Sequence, residues 1–350
     1  MDKSRDDYLL VIRLSAMGDV AMTVPVLLAL TRANPKLKLL VLTRPFFAPV
    51  FKNIPNTSVF PVDLKNKHKG VSGIYRLAKE LKKHRLSGVA DLHNVLRTKI
   101  LKLFFLDKQI PFKQIDKGRE EKRAITVWRN KELKNLKTTH ERYAEVFRDL
   151  GYAVKLDSKD VLKSCIPSEE VQAIKTQENK KLIGVAPFAA FTAKMYPLPL
   201  MKQVLEHLNN TNKYKIFLFG GGEEEKKVLN TLANKYTNCF CEVGRLSFAD
   251  ELCLISQLDL MVSMDSGNGH LAAMFSIPTL TLWGITHPCV GFAPYGQVAE
   301  NSILSDREKF PMIPTSVYGN KFPRGYEKAM ESIDPETVFR KIETLLMNKD

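Results

Sequence analysis

The chain has 350 residues and a mass of 39.7 kDa, more than one hydrophobic core usually organises, so two domains are expected. Its 44% hydrophobic and 26% charged residues exclude wholesale disorder, and no apolar run reaches the roughly 18 residues of a membrane span. With 53 Lys+Arg against 38 Asp+Glu, the net charge of +15 points to a polyanionic partner: nucleic acid, an anionic membrane surface or a phosphorylated substrate.

In chain order, the polar start MDKSRDDY is too polar and too short for a signal peptide and passes straight into an apolar run. Tyr8–Leu14 is therefore the predicted first strand of a cytosolic domain. A loop over Ser15–Asp19 and a helix from about Val20 to Ala33 follow. Further strands are predicted at Leu37–Leu42, Val59–Val62 and Gly88–Leu92, with basic segments at 65–69 and 79–85 between them. A helix over Thr139–Leu150 closes the half. The polar stretch from Ser164 to Lys181 carries Pro167 and no strand pattern, and it predicts the connection between domains 1–165 and 166–350.

The second series runs through strands at Lys181–Pro187, Tyr214–Phe219, Cys239–Val243, Leu258–Ser263 and Thr279–Trp283. Helices are predicted at Leu198–Leu208, from Glu223 and over Phe248–Gln257, and a loop and helix at 264–275. This alternation predicts an α/β protein of two Rossmann-like domains facing across a cleft. Ligands in such folds bind beyond the carboxyl ends of the strands. Five cysteines without CxxC spacing fit a reduced protein better than a disulfide framework. The thiols of Cys239 and Cys241 are expected on opposite faces of their strand, which speaks against a metal site.

The charge divides unevenly. Residues 1–165 hold 34 Lys+Arg and 17 Asp+Glu, whereas residues 166–350 hold 19 and 21. The whole excess lies in the N-terminal half. A merely solvated basic face is the plain alternative to a polyanion site.

Strand-end loops carry the candidate chemistry. Asp19, beside Gly18 at the mouth of a helix, suits a general base and equally an N-cap. In Asp265-Ser266-Gly267-Asn268-Gly269-His270, two glycines at a helix start suit an anion such as a diphosphate, or a helix capped by Asp265 or Ser266. His270 could donate to phosphate or simply pack. Glu223, after Gly220-Gly221-Gly222, could hold a ribose diol or complement the helix dipole. Lys194 could neutralise a leaving phosphate or be an ordinary surface lysine.

Together, RLSAMGD, KMYP, GGGE and DSGNGHLAA…PTLTLWGITHP resemble the bacterial lipopolysaccharide heptosyltransferases, glycosyltransferase family 9. The match runs in order along the chain. The resemblance implies the two-domain glycosyltransferase-B fold. It implies that Asp19 is the catalytic base, that Lys194 contacts donor phosphate and that Asp265 is an essential acid near the donor sugar. Ser266, Gly267, Asn268, Gly269 and His270 would cradle the diphosphate, Glu223 would bind the ribose, and Leu246 would pack on the adenine. Before Lys194 the family often has Thr or Ser that touch phosphate, whereas in Ala189-Ala190-Phe191-Thr192 only Thr192 keeps a hydroxyl.

The expected reaction is an inverting, metal-independent transfer of heptose from ADP-heptose to lipid A–Kdo, with no cofactor beyond the nucleotide sugar. Ser15 and Gly18, with Lys65, Lys67, Lys69, Arg97, Arg119, Lys122 and Arg123, are the candidate acceptor contacts. A monomer on the cytoplasmic face of the inner membrane is expected, with no nucleic-acid partner. Rival readings are another nucleotide-sugar transferase, a sugar-nucleotide epimerase, and a nucleic-acid-binding protein. The basic segments lack the interleaved aromatic platforms that the last would need.

Overall fold

Leu9–Ile12 is apolar at every position and fully buried, as a strand covered on both faces must be. It lies in β1 (Tyr8–Ile12), the middle strand of a five-stranded parallel sheet with β2 (Lys38–Thr43), β3 (Thr57–Pro61), β4 (Leu86–Asp91) and β5 (Phe112–Gln114), in the order β3-β2-β1-β4-β5. The computed structural model describes residues 7–106, 110–129, 131–175 and 180–347.

The single helix expected over 20–33 is two: α1 (Met17–Ala21) and α2 (Thr23–Ala33). Pro25 explains the restart, because a residue without an N–H is tolerated in a helix's first turn and breaks its interior. α3 (Gly70–Leu81) and α4 (Leu96–Leu103) place Ile74, Leu77, Leu81, Leu101 and Phe105 against Leu10, Ile12, Leu40, Leu42 and Val89 of the sheet. Neither helix was anticipated from the sequence.

A second parallel sheet holds β6 (Lys181–Ala186), β7 (Tyr214–Leu218), β8 (Cys239–Cys241), β9 (Leu260–Met264), β10 (Thr279–Trp283) and β11 (Ser302–Leu304), in the order β11-β10-β9-β6-β7-β8. This is the doubly wound Rossmann order. Connecting helices are α8 (Leu198–Asn210), α9 (Glu223–Lys235), α10 (Phe248–Ile255) and α11 (Gly267–Ala273), and α12 (Pro335–Met347) packs on α8. A short helix, α7 (Glu169–Lys175), interrupts the stretch expected to be a plain connection. Cys239 and Cys241 enter the same core, as residues two apart on a strand must, so the expected opposite faces are corrected.

The chain divides into one unit of residues up to Lys117 plus Thr139–Leu162, and another of Gly118–Thr138 plus Lys163 onward. The sequence-based boundary at 165 thus misses a strap. This segment contains α5 (Arg119–Thr126) and belongs with the second unit, whereas α6 (Thr139–Arg148) packs against α2 in the first. Ile125 and Leu136 of the strap join Cys289 and Val290 in a small core. Leu136 N–H donates to the Cys289 carbonyl at 2.9 Å, and Trp128 Nε1 to the Thr315 carbonyl at 3.2 Å. Redrawn on these units, the first carries 26 Lys+Arg against 14 Asp+Glu and the second 27 against 24. Most of the basic excess, +12 of +15, stays in the first.

Candidate active site

In a doubly wound sheet the ends of the two strands flanking the reversal of order form a natural ligand position. Those strands are β1 and β4 in the first unit and β6 and β9 in the second. Asp19 of the first unit, and Lys194, Asp265 and Ser266 to His270 of the second, lie there.

In the first unit, Asp19 occupies the first turn of α1, just beyond β1. Its Oδ2 is ion-paired with buried Arg13 and accepts from the Ala16 backbone N–H at 3.4 Å. Oδ1 takes part in no hydrogen bond among the described residues, and the side chain is 29% exposed. Asp19 therefore caps only weakly while remaining accessible. Arg13 is fixed from the opposite side, donating from Nη1 to the Leu92 carbonyl at 2.6 Å and lying over the Tyr143 ring. The Tyr143 hydroxyl reaches the Asp19 carbonyl oxygen at 3.4 Å, and burial pushes that phenol's pKa upward.

His93, just past β4, accepts from the Leu14 N–H on Nδ1 at 3.1 Å. Burial, reinforced by Arg13, lowers its pKa to about 3, so it stays neutral. Asp91 at the end of β4 accepts from the His93 and Asn94 N–H groups and from Gln114 Nε2 at 2.8 Å. Arg13, His93 and Tyr143 were not singled out from sequence. Arg13 alone had a signal, as the first residue of the RLSAMGD motif.

In the second unit, Lys194 is no surface lysine. It is 9% exposed, and its Nζ lies 2.9 Å from Asp265 Oδ2. The Thr286 hydroxyl donates to the same oxygen at 2.8 Å. Gly319, at φ +85°, leaves room for the lysine stem, which a Cβ there would overlap. With Asp265 engaged in this way, it does not cap α11, and Ser266 makes no side-chain cap bond either. The Ser266 Oγ is buried and unpartnered. The helix start thus keeps its N–H groups uncapped by side chains, with Gly267 half-buried and Asn268 and His270 buried behind it. Gly269 is dictated by space, since a Cβ would sit 2.5 Å from Ser263 Oγ. Thr192 opens the short 3-10 turn that ends at Lys194.

Of the three glutamates at the start of α9, Glu225 accepts from the Gly221 N–H at 2.8 Å and Glu224 pairs with Lys227. Glu223 is exposed and makes no hydrogen bond or ion pair among the described residues. Leu246 lies half-buried in the turn after β8, whose strand neighbours β7.

The basic candidates separate. Asp63 accepts from the N–H groups of Lys65, Asn66 and Lys67, which holds its carboxyl below the usual range and fans Lys65, Lys67 and Lys69 outward. Lys67 is also paired with Glu80 at 2.9 Å. Arg97 is half-buried in the first turn of α4, and Ser15 and Gly18 are half-buried beside Asp19. Arg119, Lys122 and Arg123 are not with them: they ride on α5 in the second unit, and Lys122 is buried over the Phe292 ring at 4.0 Å. Placing them on the basic first domain is corrected, because the apolar face of α5 holds them elsewhere.

The family model for glycosyltransferase family 9 (heptosyltransferase) matches residues 74–316. The chain belongs to this family. As a family 9 glycosyltransferase it is similar to lipooligosaccharide heptosyltransferase 2 of Campylobacter jejuni, 24% identical over 95% of this chain and 96% of that protein. The family 9 fold recurs in a glycosyltransferase from Veillonella parvula, with a TM-score of 0.76, 20% identity and coverage of 99% of this chain and 100% of that one. It recurs also in E. coli ADP-heptose lps heptosyltransferase II, at TM-score 0.69 and 19% identity over 98% and 99% of the two chains. Two parallel α/β units with the glycosyltransferase-B fold, catalysing glycosyl transfer, are thereby established.

Proposed function

We propose that the protein transfers heptose from ADP-heptose, with inversion, to a hydroxyl of the lipid A–Kdo inner core of lipopolysaccharide. The observation that carries this reading is the Lys194–Asp265–Thr286 cluster beside the uncapped start of α11, at the order reversal of the second sheet. A buried ammonium next to free helical N–H groups is matched to a diphosphate. Relatives named for heptose transfer to lipopolysaccharide or lipooligosaccharide, one of them for ADP-heptose, support the donor and the acceptor class.

In the proposed reaction the acceptor hydroxyl gives its proton to Asp19. The oxygen's electron pair then forms the new bond to the anomeric carbon. The bond from that carbon to the diphosphate oxygen breaks, and its electrons leave with ADP. Lys194 and the α11 N–H groups stabilise the charge that develops on the leaving group, so the protein itself supplies what a divalent cation would otherwise provide. Glu223, the one glutamate of its run without a partner among the described residues, is assigned to the ribose, with Leu246 on the adenine and Ser266 to His270 on the diphosphate. The lysines at 65, 67 and 69, with Arg97, are assigned to acceptor phosphates and carboxylates. The site would lie on the cytoplasmic side, where nucleotide sugar is available.

The test is release of ADP in the presence of donor and acceptor. Asp19→Asn should lower turnover by roughly a thousandfold or more, within the range by which losing a proton acceptor slows such steps or beyond it, while ADP still raises the melting temperature. Stabilisation by UDP or GDP in place of ADP would reassign the donor. Turnover lost in chelator and restored by Mg2+ would refute the metal-free scheme.

A further inference from the structure

Isolated exposed apolar side chains are ordinary on soluble proteins, but a contiguous stripe of them is not. On α4, Leu96 and Leu103 stand 75% and 64% exposed, and Leu106 in the turn beyond stands 65% exposed. With exposed Lys99 they fall at positions i, i+3, i+7 and i+10, one outward stripe opposite the buried Thr98, Leu101 and Phe105. Core packing against the sheet is satisfied by the inward set, so the leucines serve no fold requirement.

Beside this stripe runs another. Tyr75 of α3 meets Phe104 edge-on at 5.3 Å, and Val71 lies one turn before it, 60% exposed. Lys79 Nζ sits 4.5 Å over the Tyr75 ring. The charge around the patch is mostly basic. Residues 63–107 hold 11 Lys+Arg and 4 Asp+Glu, and of the acids Glu80 is paired with Lys67, Asp91 is fully buried and Asp63 is turned to the backbone N–H groups of its own loop. An apolar strip within a mostly basic segment is complementary to an anionic lipid surface, which offers acyl chains below and phosphates above.

Position gives the strip a direction. α4 begins at the carboxyl end of β4, and the loop of Lys65, Lys67 and Lys69 lies just past the carboxyl end of β3. In a parallel sheet that is the edge where Asp19 stands. We infer that the outward faces of α3 and α4 form the surface by which the protein rests on an anionic phospholipid bilayer, with Leu96, Leu103 and Leu106 entering the headgroup boundary and the flanking lysines meeting lipid phosphate. This docking surface rests on the proposed glycolipid acceptor and adds the residues and lipid class that would bring the enzyme to it.

The full chain is mixed with vesicles of phosphatidylethanolamine and phosphatidylglycerol, and separately with phosphatidylcholine alone, and sedimented. Binding is expected to the anionic vesicles only, to weaken as salt rises, and to fall at least tenfold in Leu103→Glu/Leu106→Glu. The milder Leu103→Gln/Leu106→Gln should fall between, and unchanged melting curves would show both variants folded. Transfer from ADP-heptose to a water-soluble, delipidated core acceptor should be unchanged in both variants. Equal vesicle binding by wild type and the glutamate variant overturns the inference. So does a concentration-dependent dimer that the same variant abolishes, because the strip would then cover a second copy of the chain. If the wild type transfers nothing to the soluble acceptor, the proposed function fails while the vesicle result still decides the surface.

Discussion

Lys194 and Asp265 illustrate how strongly a few buried atoms can constrain a site. Each side chain is about 11% exposed, so each charge has lost most of its water and depends on the other. Removing one partner leaves the other buried and unmatched. Lys194→Met keeps the aliphatic stem against Gly319 and deletes only the charge, and it should destabilise the second unit by about 3 kcal/mol in urea unfolding. Adding Asp265→Asn should return most of that loss, because the Thr286 hydroxyl can still donate to the amide oxygen. If the double variant is as unstable as the sum of the two single ones, the pair is not coupled in solution. Arg13 plays the corresponding part for Asp19: its fixed guanidinium settles where the carboxylate sits, with Leu92 and Tyr143 settling the guanidinium.

Among elements, the strands and the loops after them were the most legible. Buried parallel strands are short apolar runs, and the loops declare themselves through Gly and Asp at strand ends. Most predicted strands hold their place within two residues, as at Tyr8–Leu14 against Tyr8–Ile12. The helices α3 and α4 were not legible for a definite reason. In α3 the basic run beginning at Lys79 obscures the inward Ile74, Leu77 and Leu81, and in α4 outward leucines blur the apolar period that inward leucines set. The strap from Gly118 to Thr138 was invisible because its partners, such as Thr315, lie nearly two hundred residues away. Within the candidate site, Arg13, Asp19, Lys194 and Asp265 stand in local motifs that a sequence can display, whereas His93 and Tyr143 join it through long-range contacts that no local pattern encodes. Gly319 belongs to the same class. It combines a left-handed backbone with close approach to the Lys194 stem, so Gly319→Ala should cost about 1–3 kcal/mol. It should also weaken ADP binding, measured by calorimetry. Unchanged ADP affinity would separate the loop from the donor site.

At the scale of the whole molecule, each unit contains a neutral histidine that accepts a backbone N–H in a strand-end loop. His93 takes the Leu14 N–H, and His287 takes the Cys289 N–H at 3.2 Å. Burial is the first cause of both depressed pKa values, about 3 and about 4, and neighbouring cations add to it: Arg13 for His93, Arg307 and Lys131 for His287. In the unfolded chain each returns to 6.5 and binds a proton that the folded form refuses. Stability therefore rises with pH between the folded and unfolded values and falls as the solution is acidified from about 6.5 towards 4. Above that window neither group contributes. At pH 5, which lies above both folded values, the loss is on the order of 2 kcal/mol for each histidine. His93→Asn keeps an acceptor for the Leu14 N–H without a titrating group, so it should flatten the acid limb of the first unit only, and His287→Asn that of the second. Hydrogen exchange measured at pH 7.5 and pH 5 resolves the two units separately, with Val11 and Ala90 reporting on the first and Val262 and Leu282 on the second. An acid limb that survives in the first unit of His93→Asn would show that His93 is not its origin.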